Sequence, residues 1–105
     1  MGRFRADREL AFSPFVTDDN KYMVVRVWRG TATQNRIYYR PIDSDEPLIR
    51  LLDEADARYD FIGNDGPVFF FNTDLEAPRG RIIAIDTTQP ERDNWREILP
   101  EQSDV

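Results

Sequence analysis

The amino-acid sequence predicts an all-β fold of two four-stranded antiparallel meanders, and three observations carry that expectation. Apolar residues recur at strand spacing almost throughout the chain. Asp-, Asn- and Gly-containing turn signals separate the apolar runs. The second half of the sequence also repeats the first at a nearly constant offset.

Taking the segments in order, "YMVVRVW" (22–28) places Tyr22, Val24, Arg26 and Trp28 on one face and Met23, Val25 and Val27 on the other, because successive side chains of a strand point to opposite sides. It is β-branched and aromatic, and apolar on both faces, which predicts a central strand. "RIYYRPI" (36–42) alternates more weakly, and Pro41, with no amide to donate, marks an edge or an end. "PLIRLL" (47–52) is a short apolar strand. In the acidic "DEADARYD" that follows, Leu51, Leu52, Ala55 and Tyr59 have helical spacing. Asp53, Asp56 and Asp60 interrupt it and no cap begins it, so it is expected to be a connector.

"FIGNDGPVFFF" (61–71) then reads as a hairpin, with Asp65 and Gly66 expected to supply the positive φ angles of a two-residue turn. Its second strand carries Val68 and Phe70 on one face and Phe69 and Phe71 on the other. Burial of a Phe side chain is worth about 1.5–3 kcal/mol, against a whole stability of about 5–15 kcal/mol, so both faces of such a strand call for cover.

The repeat suggests how that cover arises. "VTDDNKYMVVRV" (16–27) superimposes on "IGNDGPVFFFNT" (62–73) at an offset of 46, "NRIYYR" on "GRIIAI" (80–85) at 45, and "LIRLLDE" (48–54) on "WREILPE" (95–101) at 47. Arg36 thereby aligns with Arg81, and Ile37 with Ile82. A repeat of about 40–50 residues with four strands per unit is the mark of β-propeller blades, which pack face to face. The expected organisation is a tail over 1–9, one blade over 10–56, a second over 57–101 and a tail over 102–105.

Composition narrows the chemistry. A chain of 105 residues, 40% hydrophobic and 12% aromatic, suffices to fold. Its net charge of −6, with arginines interleaved among carboxylates and Lys21 the only lysine, argues against a nucleic-acid partner. No segment has the length and hydropathy of a signal peptide or a membrane span, which predicts a soluble chain. There is neither cysteine nor histidine, which removes the usual zinc ligands, the thiol nucleophile and the usual general base of a serine hydrolase. Neither a cofactor nor a metal is expected. The carboxylates of "DSDE" (43–46) lack the glycine and distal glutamate of an EF-hand loop, and Asp18, Asp19 and Asp65 stand at turn positions where Asp bonds backbone amides.

"FSPFVTDDNKYMVVRVWRGT", "NRIYYR", "PLIRLLDEADARYDFIGNDGPVFFFNTDLEAPRGRIIAID" and "NWREILPE" together resemble the N-terminal β-propeller of the prolyl oligopeptidase (prolyl endopeptidase) family of serine peptidases, over residues 11–101. The most specific marks are "YDFIGNDG", "NTDLEAPRGRIIAID" and the Asn-Trp before the last strand. The resemblance implies a parent in which a seven-bladed propeller caps an α/β-hydrolase domain, admits proline-containing oligopeptides for cleavage after proline, and excludes folded proteins. It implies a soluble parent, cytoplasmic or periplasmic, without deciding the compartment.

Within these residues the nucleophile elbow Gly-x-Ser-x-Gly is absent, and Ser13, Ser44 and Ser103 are read as turn or terminal residues. The chain is therefore expected not to be an enzyme by itself but two propeller blades that gate access to a catalytic domain elsewhere. The alternative is a stand-alone two-blade module that self-assembles into a binding scaffold. Its expected partners are copies of itself or the missing blades and catalytic domain, with peptide substrate bound only in the parent. Arg26 and Arg36 lie on otherwise apolar strands, where a charge needs a partner. By the resemblance Arg36 helps line the substrate cavity; the recurrence of Arg81 at the equivalent place keeps a structural ion pair of Arg36 with a neighbouring strand's carboxylate at least equally open.

Overall fold

The computed structural model describes residues 10–100; the expected tails, Glu101 and Ser103 lie outside them. Eight strands form two sheets, each a plain meander. The first has the order β1 (Leu10–Val16), β2 (Tyr22–Arg29), β3 (Asn35–Pro41), β4 (Ile49–Leu52). The second has the order β5 (Tyr59–Asp65), β6 (Val68–Thr73), β7 (Arg81–Asp86), β8 (Arg96–Leu99). All neighbours are antiparallel. The chain divides into two compact units between Ala55 and Asp56. The segment 53–58 contains no helix, in keeping with the aspartates that interrupt its spacing.

The repeat read from the sequence is a repeat of elements. The offset of 46 carries Tyr22, the first residue of β2, onto Val68, the first of β6; the offset of 47 carries Ile49–Leu52 onto Arg96–Leu99. β3 is an internal strand, and Pro41 closes it, so its missing amide costs the ladder nothing in the strand body. Ser13 lies within the exposed edge strand β1 and not in a turn, because Phe12–Pro14 continue the register opposite Val27–Val25. Pro14 is tolerated there since an edge strand has amides that need no partner strand.

In the first sheet β2 is buried on both faces: Val24 on one side and Val25 and Val27 on the other are at most 5% exposed. The second sheet is less symmetric. Phe69, Phe71 and Thr73 are wholly buried, opposite Ile85, Ile83 and Arg81 on β7, whereas Val68, Phe70 and Asn72 on the other face are half-buried. Phe61 meets Phe69 and Phe71 edge-on at centroid distances of 5.4 and 5.7 Å, and Tyr59 meets Phe71 at 6.4 Å, so the buried face is an aromatic cluster.

The hairpin turns follow local chemistry. Asp65 pairs with Val68 and remains in the strand, so the two-residue loop is Gly66-Pro67, one position later than the sequence suggested. Gly66 alone takes positive φ, +58°, and the Pro67 ring keeps the second position negative, the sign pattern of a type II′ turn. In the β1–β2 turn, Asn20 takes φ of +59°, while Asp19 Oδ1 accepts hydrogen bonds from Thr17 Oγ1 at 2.6 Å and the Lys21 amide at 3.0 Å. Between β6 and β7, Asp74 Oδ1 accepts the Arg58 amide at 2.8 Å and Thr73 Oγ1 accepts that of Leu75 at 3.1 Å. A Cβ on Gly80, at φ +90°, would lie 2.9 Å from Asn72 Oδ1. The passage "NTDLEAPRG" is thus fixed by the turn it must make.

Candidate functional site

Arg36 stands near the start of β3, directly across from Val27 of β2. Its Nε lies 3.4 Å from Asp53 Oδ1 and donates to the Asp53 carbonyl at 3.3 Å, so the guanidinium spans from β3 to the residue that follows β4. The same carboxylate collects two further groups. Tyr38 donates its hydroxyl to Asp53 Oδ1 at 2.6 Å, and Arg50 Nη1 stands 3.6 Å from Oδ2 with its guanidinium carbon 5.5 Å from the Tyr38 ring centre. Burial and the hydrogen bond to Asp53 together raise the Tyr38 hydroxyl above its ordinary range, keeping it a donor.

Two guanidinium groups share one carboxylate, which leaves this patch with a net positive charge. Arg36 is about a quarter exposed and Arg50 mostly exposed. Such a patch can hold a carbonyl or carboxylate, while its one carboxylate, Asp53, is engaged by Arg36, Tyr38 and Arg50. The sequence singled out Arg36 and missed Tyr38, Arg50 and Asp53 as its company; Asp53 read only as an interruption of a helical pattern.

Arg81 forms the corresponding contact in the second sheet with a different partner. Its Nη1 lies 3.1 Å from Glu97 Oε2, a residue inside β8, whereas Asp53 follows β4. Arg26, the other strand arginine noted from the sequence, places its guanidinium carbon 4.9 Å from the ring centre of Trp28, two residues along on the same face.

A second polar cluster joins the two ends of the second sheet. Asp56 accepts the Tyr59 hydroxyl at 2.8 Å on Oδ1 and Arg92 Nη2 at 2.6 Å on Oδ2. Burial alone would raise the Asp56 carboxyl, but these bonds outweigh it and hold the group below its ordinary range. Arg92 in turn lies 4.8 Å over Trp95, which packs edge-on to Tyr59 at 6.3 Å. Its components are all satisfied within the sheet.

The remaining candidates resolve into turns. Ser44 Oγ accepts the Glu46 amide at 3.0 Å, and among the described residues no cluster of acidic side chains is arranged to hold a metal ion. No helix among them is long and apolar enough to cross a membrane.

Comparison with known proteins agrees with this geometry. Residues 3–105 match the family model described as prolyl oligopeptidase, N-terminal β-propeller domain. Prolyl oligopeptidase A of Amanita bisporigera is 28% identical over 95 residues, covering 86% of this chain and 12% of that protein. A prolyl endopeptidase of Elizabethkingia meningoseptica is 26% identical over 90 residues, covering 86% of this chain and 13% of its own length. Among solved structures, prolyl oligopeptidase B of Galerina marginata superimposes with a TM-score of 0.82 at 25% identity, over 91% of this chain and 14% of that one. The chain thus spans about an eighth of the length of these relatives. With its two meander sheets and a match over nearly its whole length, this chain belongs to the prolyl oligopeptidase family, as part of the N-terminal β-propeller domain.

Proposed function

We propose that these residues serve a serine endopeptidase of the prolyl oligopeptidase type as a non-catalytic part of its propeller, which gates the access of proline-containing oligopeptides to a catalytic domain not contained in them. The observation that carries this reading is the propeller match over residues 3–105 of a chain without histidine or a nucleophile elbow. It favours this role over a free-standing binding scaffold, because the relatives matched are named as peptidases.

Arg36 is the residue assigned to substrate contact. Support comes from its partial exposure and from the net positive charge that it and Arg50 leave around Asp53, a suitable setting for a peptide carbonyl or terminal carboxylate. Arg81 provides the control, having a comparable ion pair in the other sheet. In a whole peptidase carrying this segment, Arg36→Ala should raise KM for a proline-containing oligopeptide several-fold while Arg81→Ala leaves it unchanged. Equal effects would return Arg36 to a purely structural role.

A further inference from the structure

The outer strands of the two sheets occupy the same place in the repeat but are held differently. In β4, Leu52 is buried opposite Ile37. In β8, all four residues are exposed, so no side chain of the strand anchors it in a core. Among the described residues, what attaches β8 is its ladder to β7, irregular between Ile82 and Ile83, the ion pair of Glu97 with Arg81 and the attraction of Arg96 for Asp86.

The segment 87–95 leading into β8 is held at its start, where Thr87 donates its amide and its hydroxyl to the Pro67 carbonyl at 2.9 and 2.7 Å and the Gln89 amide donates to the Asp86 carbonyl at 2.9 Å, and again farther along. Arg92 binds Asp56 at 2.6 Å, and Trp95 lies edge-on against Tyr59 while donating its indole N–H to the Pro90 carbonyl at 2.9 Å. A cleft of about 220 Å³ opens between the sheet and the segment, lined by Val68, Ala84 and Asp86 of the sheet and by Gln89, Asn94 and Arg96 of the segment and strand. At that cleft the segment leaves a gap over Val68 and Ala84, while Trp95 packs on Tyr59. Polar contacts at a surface hold far less firmly than a buried apolar side chain.

We propose that residues 90–99 form a strap that opens as one unit while β5, β6 and β7 stay folded, hinged on the bonded turn 86–89 and with the Arg92–Asp56 contact as its clasp. β8 itself contributes little apolar burial, Ile98 and Leu99 being 49% and 45% exposed, and local opening free energies track such deficits. Its structural consequence is a bared β7 edge: Ile83 and Ala84, 1% and 2% exposed when the strap is closed and paired with Glu97 and Arg96, would lie on a strand with unpaired amides and carbonyls.

Amide hydrogen exchange on the full 105-residue chain tests the strap. The amides of residues 96–99 should exchange at least about tenfold faster than those of β6, and faster than those of β4. Arg92→Ala should accelerate exchange in 92–99 and at the β7 edge without changing β2, β3 or β6; Glu97→Gln should accelerate 96–99 in the same selective way. The proposal is overturned if β8 is as protected as β6, or if either substitution lowers protection evenly across the second sheet.

Discussion

Arg36 and Asp53 meet through both side chain and backbone: the guanidinium Nε lies 3.4 Å from the carboxylate and 3.3 Å from the carbonyl of the same residue. Both side chains are partly exposed, so the pair sits in the range of surface ion pairs, worth about 0.2–1 kcal/mol. A double-mutant cycle with Arg36→Ala and Asp53→Ala, followed by chemical denaturation, should return a coupling energy of about that size. Asp53→Ala alone should cost more than Arg36→Ala, because it also strips Tyr38 and Arg50 of their partner.

Neighbouring phenylalanines of β6 should respond unequally. Phe71 is fully buried against Phe61 and Tyr59, and Phe71→Ala is expected to destabilise the chain by about 3–5 kcal/mol. Phe70, half-buried on the other face, should cost clearly less when truncated. Urea midpoints of the two variants give the comparison, and equal losses would show that both faces of β6 are equally covered.

This asymmetry marks where sequence reading reaches its limit. Alternation in "VFFF" and the repeat with "YMVV" were enough to place the strands and their order, because period two and turn residues are local properties. How deeply each face is covered depends on what packs over it, and four apolar residues in a row look alike from either side. Arg36 was likewise legible as a charge on an apolar strand. Its partner was not, since Asp53 lies 17 positions away and reaches it only through the β3–β4 pairing. The Asp56–Arg92 contact, across 36 positions, left no local signal at all.

Acid should weaken the second sheet through Asp56. Its carboxyl is held below the ordinary value in the folded chain, so the folded state prefers the ionised form. The corresponding stability is fully present above the unfolded pKa of about 3.9 and is lost as pH falls through the depressed folded value. Asp56→Asn should flatten the dependence of stability on pH below about 4. Thermal melts of both proteins across pH 2–7, with unchanged acid dependence in the variant, would count against this role.

The isolated chain is expected to associate with itself. Phe12, Val16 and Ile62 are 56%, 46% and 54% exposed, large apolar side chains for which a propeller would supply neighbouring blades. Light scattering at micromolar concentration should report a species larger than 12.4 kDa, and substituting Phe12 and Val16 by Ser should shift it toward the monomer. A monomer that binds no hydrophobic dye would contradict the expectation.

These residues form propeller structure, and the proposal that they carry no catalytic machinery of their own is met by an activity assay. The purified chain is incubated with a chromogenic oligopeptide bearing proline before the scissile bond, with and without a serine-directed covalent inhibitor. The account predicts hydrolysis no faster than buffer, since no triad can be assembled without histidine or an elbow serine. Turnover that co-purifies with the chain and is abolished by the inhibitor would contradict it.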